Sequence, residues 1–179
     1  HSPLFQDALN KGLMSVGVDV VDIGFEYTTT PMVSTVVYSC NELDGAVQVT
    51  ASHNDFSYNG LKIVIGKENM PEAEIAEMLG EAAECGMEVV EEQEGMYYRK
   101  DYRKRYQEEV EVFLLSIFEG VEGVDRKRPF RGMRYAVEGV SGTSGEIFAD
   151  ILEGLGAEVV RVHTQPNGYF PYHVPNPDE

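Results

Sequence analysis

Gly45-Ala46-Val47-Gln48-Val49 runs directly into Thr50-Ala51-Ser52-His53-Asn54, and Asp55-Phe56-Ser57-Tyr58-Asn59-Gly60-Leu61-Lys62-Ile63 follows. The first five residues read as a buried strand. A strand that ends in small and polar residues hands its last side chains to a surface loop, where chemistry usually sits. Ser52 is the hydroxyl of that loop, and His53, Asn54 and Lys62 are polar groups able to reach a phosphate. A phosphoryl-carrying serine needs positioning and charge neutralisation more than a neighbouring base, because the transition state is loose. Each residue also has a plainer reading. Ser52 alone is a turn serine, His53 a loop-packing ring, Asn54 an Asx-turn residue and Lys62 a surface lysine at a strand end.

Outward from this loop, strands and helices alternate. Ser2-Pro3 is a good helix entry, and Leu4, Phe5, Ala8, Leu9, Leu13 and Val16 recur at helical spacing until Gly17 stops them. A short strand is expected over 19–24. Thr28-Thr29-Thr30-Pro31 is a second cap-and-proline entry, to a helix over 32–38. Leu61 to Ile65 is a strand, and Pro71 opens a helix with Ile75, Met78, Leu79 and Ala82 on one face. Residues 86–100 read as a charged, solvated loop. Asp101 is the expected cap of a helix carrying Tyr102, Tyr106, Val110, Phe113, Leu114 and Ile117. The basic group Arg99, Lys100, Arg103, Lys104 and Arg105 is the solvated side of that helix.

The Gly- and charge-rich stretch 120–132, with Pro129, is the best boundary. Beyond it, 133–137 and 157–162 are strands around a helix bearing Ile147, Phe148, Ile151, Leu152 and Leu155, a unit too small to bury a core alone. Gly139 to Gly145 reads as a strand-to-helix turn, and a backbone anion site there is the weaker alternative. The pattern is α/β, a mixed sheet layered with helices. The domains expected are 1–120, a linker at 121–132, and 133–179.

The formal net charge of -17 disfavours duplex nucleic acid and anionic membrane as partners. No apolar run approaches the ~18 residues of a membrane span. Cys40 and Cys85 lack metal-type spacing and are expected as small buried residues, which suits a reducing cytoplasm. His163 and His173 have no carboxylate or cysteine at ligand spacing and are expected on the surface. No G-x-S-x-G elbow surrounds Ser52, which argues against a serine hydrolase.

Thr50-Ala51-Ser52-His53-Asn54, then Tyr58-Asn59-Gly60 and Lys62, resembles the phosphoserine loop of the alpha-D-phosphohexomutases, the phosphomannomutases and phosphoglucomutases. The segments Asn167-Gly168-Tyr169-Phe170-Pro171 and Pro175-Asn176-Pro177 resemble the opening of that family's second domain. Asp55 departs from the pattern, since the family usually has proline there.

The resemblance implies an isomerase in which Ser52 exchanges phosphoryl groups with a hexose phosphate, interconverting 1- and 6-phosphates through a bisphosphate. It places His53 and Lys62 in the catalytic site, Asn54 and Asn59 at substrate or phosphate, and magnesium on the Ser52 phosphate. The aspartate-rich D-x-D-x-D loop that binds magnesium in the family has no counterpart here. The family's first strand and arginine loop have none either. The resemblance therefore implies an incomplete first domain, the start of a second, and a weakly active or inactive piece. Unpaired sheet edges then favour self-association. The alternative function is a non-catalytic α/β binding or scaffold module that retains the loop.

Overall fold

The computed structural model describes residues 2–24, 27–85 and 94–176. The helices are α1 (Ser2–Ser15), α2 (Thr30–Ser39), α3 (Glu72–Cys85), α4 (Arg103–Ile117) and α5 (Gly145–Gly154). The strands are β1 (Val20–Asp22), β2 (Gly45–Val49), β3 (Leu61–Ile65), β4 (Glu68–Asn69), β5 (Tyr97–Arg99), β6 (Arg134–Glu138) and β7 (Glu158–Val162). The α/β class and the mixture of strand directions match the expectation from sequence. β1 pairs with β5 in parallel, β2, β3 and β4 form an antiparallel sheet in that order, and β6 pairs with β7 in parallel.

The described chain divides into two compact units. The first comprises His1–Gly24, Val33–Ser52 and Tyr58–Tyr102, and the second Phe25–Met32, His53–Ser57 and Arg103–Glu179. In the first unit, Gly17 takes a φ of 82°, the left-handed turn that ends α1. α1 then packs on β1 and β2. The threonine run before α2, which falls in the second unit, behaves as a cap, since Met32 N donates to Thr29 Oγ1 at 3.2 Å. Val36 and Val37 are almost wholly buried, and Cys40, one turn further, is buried too.

Two expectations for this unit need correction. The loop expected over 86–100 contains a strand, because Tyr97, Tyr98 and Arg99 pair with Val20, Val21 and Asp22. The Tyr97 hydroxyl donates to Asp22 Oδ2 at 2.6 Å, a bond that raises the phenol pKa. Residues 86–93, and with them the centre of the acidic run, lie outside the described residues. Cys85, expected to be buried, is exposed, because it ends α3, a helix with no buried residue.

The second unit is built on β6, α5 and β7. Val137, Ala149 and Leu152 form its core, with Phe130, Tyr135, Ala157 and Val159 packed against them. Phe118, Phe130 and Tyr135 continue this core as an edge-to-face aromatic chain. The expected linker therefore joins the core at its far end, where Pro129 is buried and Phe130 N donates to the Leu155 carbonyl. α4 packs on α5, and its basic residues are neutralised locally. Arg103 meets Asp150, Lys104 meets Glu108 and Arg105 meets Glu109. Arg161 of β7 reaches Glu146, Asp150 and Glu153, all on α5, at 2.6–2.9 Å.

Candidate functional site

The serine loop starts where the β2–β3 ladder ends. Val49 pairs with Leu61, and Thr50 N extends the ladder with a 2.9 Å bond to the Gly60 carbonyl. The chain then turns away. Ser52 N donates to Thr50 Oγ1 at 3.0 Å, and Ser52 adopts a φ of 57°, a left-handed conformation uncommon outside glycine. Ser52 is exposed. Lys62, also exposed, stands opposite Gln48 in the register. Cross-strand partners share a face and side chains alternate along a strand. Lys62, Gln48 and Thr50 therefore line one face of this hairpin, and Thr50 leads into the serine turn. Asn59 closes the other side of the loop. Its Oδ1 accepts from Gly60 N at 2.9 Å, and its Nδ2 donates to Ser2 Oγ at 3.0 Å. Both ends of that amide therefore hold the loop together.

His53 and Asn54 are exposed and begin the segment His53–Ser57 that belongs to the second unit. Asp55 makes a tight Asx turn in place of a proline bend. Its Oδ1 accepts from Ser57 N at 2.8 Å and from Ser57 Oγ at 2.5 Å. The Ser57 hydroxyl holds the Asp55 carboxyl below its ordinary range, with help from the Ser57 amide. Phe56 packs on Tyr169 with ring centroids 5.2 Å apart. These residues and the run 170–175 line an open cavity of about 280 Å³.

The Gly139–Gly145 turn is a packed connection. Gly139 N, Ser141 N and Gly142 N donate to the carbonyls of Val162, His163 and Gly139. A Cβ on Gly139 would stand 2.7 Å from Thr164 Cα, so only glycine allows this approach. The side chain of Thr164 donates to Glu146, which lowers the Glu146 pKa, and Arg161 adds to the effect. These amides serve the fold, in keeping with the strand-to-helix reading.

One group was missed from sequence: its histidines do lie at the surface, His173 exposed and His163 partly so, but they are not without a partner. His163 and His173 do have a carboxylate neighbour, Glu138. His163 Nδ1 lies 3.1 Å from Glu138 Oε1, and His173 Nε2 lies 3.7 Å from the same oxygen. Glu138 pairs with Val162 in the parallel β6–β7 register, which brings residues far apart in sequence to adjacent strand ends. That register is the signal that could have found the group. The Val140 amide holds the Glu138 carboxyl below its ordinary range, aided by His163 and His173.

Comparison with known proteins bears on the serine loop. Residues 1–85 match the family described as phosphoglucomutase/phosphomannomutase, alpha/beta/alpha domain I. The chain is 29% identical over 178 residues to a phosphoglucomutase of Neisseria gonorrhoeae, covering 99% of this chain and 35% of that protein. It is 31% identical over 180 residues to a phosphoglucomutase/phosphomannomutase of Thermococcus kodakarensis, covering 98% of this chain and 36% of that protein. A crystal structure of a phosphoglucomutase/phosphomannomutase family protein from Burkholderia thailandensis superposes with a TM-score of 0.77 at 26% identity, over 99% of this chain and 36% of that one.

Over residues 1–85 the chain belongs to domain I of the phosphoglucomutase/phosphomannomutase family. It spans about a third of the length of the curated relatives it matches. The family match over 1–85 contains the whole serine loop and Lys62, whereas Glu138, His163 and His173 lie outside it. Among the described residues, no helix is long and apolar enough to cross a membrane.

Proposed function

We propose that Ser52 is a phosphoryl carrier in a hexose phosphate mutase. The observation that carries this reading is an exposed hydroxyl in a left-handed turn at the end of a paired strand, with an exposed lysine on the neighbouring strand. In the step that loads the serine, Ser52 Oγ attacks a phosphorus of a hexose bisphosphate. The new Oγ–P bond replaces a sugar O–P bond, and the serine proton passes to the departing sugar oxygen. In the transfer step, the free hydroxyl of an incoming hexose monophosphate takes the phosphoryl group from Ser52 and gives its proton to Ser52 Oγ; the resulting bisphosphate then reloads Ser52 from its other end and leaves as the isomeric monophosphate. The 1- and 6-phosphates thereby interconvert. Lys62 stabilises the developing charge or relays that proton. His53 and Asn54 contact phosphate or sugar, and Asn59 keeps the loop in position. The domain division at 121–132 and a cytoplasmic setting belong to the same reading. The two cysteines are unpaired, as a reducing compartment favours.

Magnesium is tested against the side chains present. Asp55, the carboxylate within the serine loop, is engaged by Ser57. Among the described residues, the group of three metal-type ligands contains two imidazoles, a poor set for magnesium, which prefers oxygen. Among the described residues, no set of oxygen ligands is gathered to hold magnesium at Ser52.

Intact mass spectrometry after incubation with a hexose bisphosphate tests the carrier role. One phosphate adduct is expected on residues 1–179, and none on Ser52→Ala. An adduct that persists in that variant would overturn the assignment. Absence of any adduct would favour a non-catalytic α/β module. With no carboxylate cage near Ser52 among the described residues, turnover by residues 1–179 alone is expected to fall short of that of the longer relatives by several orders of magnitude. A coupled hexose 1-phosphate isomerisation assay measures this. Self-association through the edges of the small sheets is also proposed, and the exposed apolar residues Leu4, Phe5, Val112 and Phe113 add to its driving force.

A further inference from the structure

Three side chains from three segments meet at the C-terminal ends of β6 and β7. Glu138 closes β6. His163 follows β7 in a left-handed conformation with φ 44°. His173 comes from the loop beyond. One donor atom from each lies within 4.8 Å of the others, with separations of 3.1 and 3.7 Å between Glu138 Oε1 and the two rings. Two ligands bonded at ~2.0–2.2 Å to one ion stand about 3–3.5 Å apart at tetrahedral angles. The three atoms are therefore a small contraction away from a shared ion.

Two further contacts arrange the rings for this. His173 Nδ1 lies 3.3 Å from the Val174 carbonyl, which orients the ring so that Nε2 faces Glu138 Oε1. A backbone carbonyl on the far nitrogen is also the usual orienting partner of a metal-bound imidazole. The His163 ring stacks on Tyr172 with centroids 3.6 Å apart and planes 18° from parallel, which fixes the ring with Nδ1 against Glu138.

We propose that Glu138, His163 and His173 form a binding site for a divalent transition ion of the zinc class. Two imidazoles and one carboxylate suit zinc, cobalt or nickel far better than magnesium or calcium. Three protein ligands leave a fourth position for water. His173 also lines the open cavity beside Phe56 and Tyr169, so solvent reaches this ligand. Bound there, the ion ties the loop carrying His173 to the ends of both strands. The site is independent of the serine chemistry and of magnesium.

Titration of residues 1–179 with cobalt(II), followed by visible absorption, and with zinc(II), followed by calorimetry, tests the site. One ion per chain is expected, with zinc displacing cobalt and millimolar magnesium failing to do so. Loss of an orienting partner alone weakens metal sites by about 10–100-fold. His163→Ala and His173→Ala should therefore each weaken zinc binding by at least about tenfold, and His53→Ala should not. Far-UV circular dichroism confirms that each variant is folded. Because His173→Ala lies in an exposed loop, it decides the matter should His163→Ala fail to fold. Zinc should also raise the melting temperature of the parent and leave that of His173→Ala unmoved. No binding to the parent, or equal affinity in a folded His173→Ala, would overturn the proposal.

Discussion

The serine loop and the β6–α5–β7 unit achieve local order by opposite means. In the loop, residues are held by short-range bonds, Ser52 N to Thr50 Oγ1 and the Asp55–Ser57 turn, and the side chains stay exposed. In the strand–helix–strand unit, order comes from burial. Ile151 and Ala149 are almost wholly enclosed, and Arg161 gathers three carboxylates from the covering helix. Short-range bonds keep a reactive group accessible and add little to stability. Burial fixes the β6–β7 register, and that register sets the exposed Glu138 at a strand end beside His163.

Substitutions can break this contrast or sharpen it. The largest effect is expected from Ser52→Ala, which should remove the phosphate adduct completely while leaving the melting temperature almost unchanged. A large loss of stability in that variant would show that the loop is part of the core. Ile151→Ala should do the reverse, costing about 2–5 kcal/mol in denaturant unfolding and sparing adduct formation per folded molecule. Arg161→Met should cost roughly 2 kcal/mol, because three hydrogen-bonded carboxylates lose their shared cation.

A pH effect of smaller size follows from Glu146. Its pKa is lowered in the folded state, chiefly by the Thr164 hydroxyl and then by Arg161. Its contribution is therefore complete above the ordinary glutamate pKa of about 4.3 and is lost as pH falls through the lower folded value. Thermal scans from pH 6 to pH 3 should show a steeper decline for the parent than for Thr164→Val. Asp55→Asn should have the least effect, since an amide oxygen still accepts from Ser57. Adduct formation should change by no more than about twofold, and Asp55→Ala should slow it further.

The serine loop was legible because its information is contiguous: a β-period run, a polar turn and a lysine within a few residues. The same is true of α2, where the threonines announce a cap, and of α5, whose apolar stripe faces β6 and β7. β5 was not legible, because Tyr97–Arg99 becomes a strand only by pairing with β1, which lies far earlier in the chain and beyond an acidic run. Cys85 misled because helical periodicity reports a face without reporting whether anything covers it, and α3 has no buried residue. Glu138 escaped notice for the converse reason. Its partners are determined by a parallel register and a left-handed turn at His163, neither of which a spacing rule can contain.

The unlike environments of Cys40 and Cys85 have a practical consequence. One thiol is buried just past the end of α2 and the other stands in solvent at the end of α3. A maleimide dye should therefore attach once to the native chain and twice after denaturation. The second attachment then becomes a clock for opening of the first unit, read by mass, with no engineered residue required.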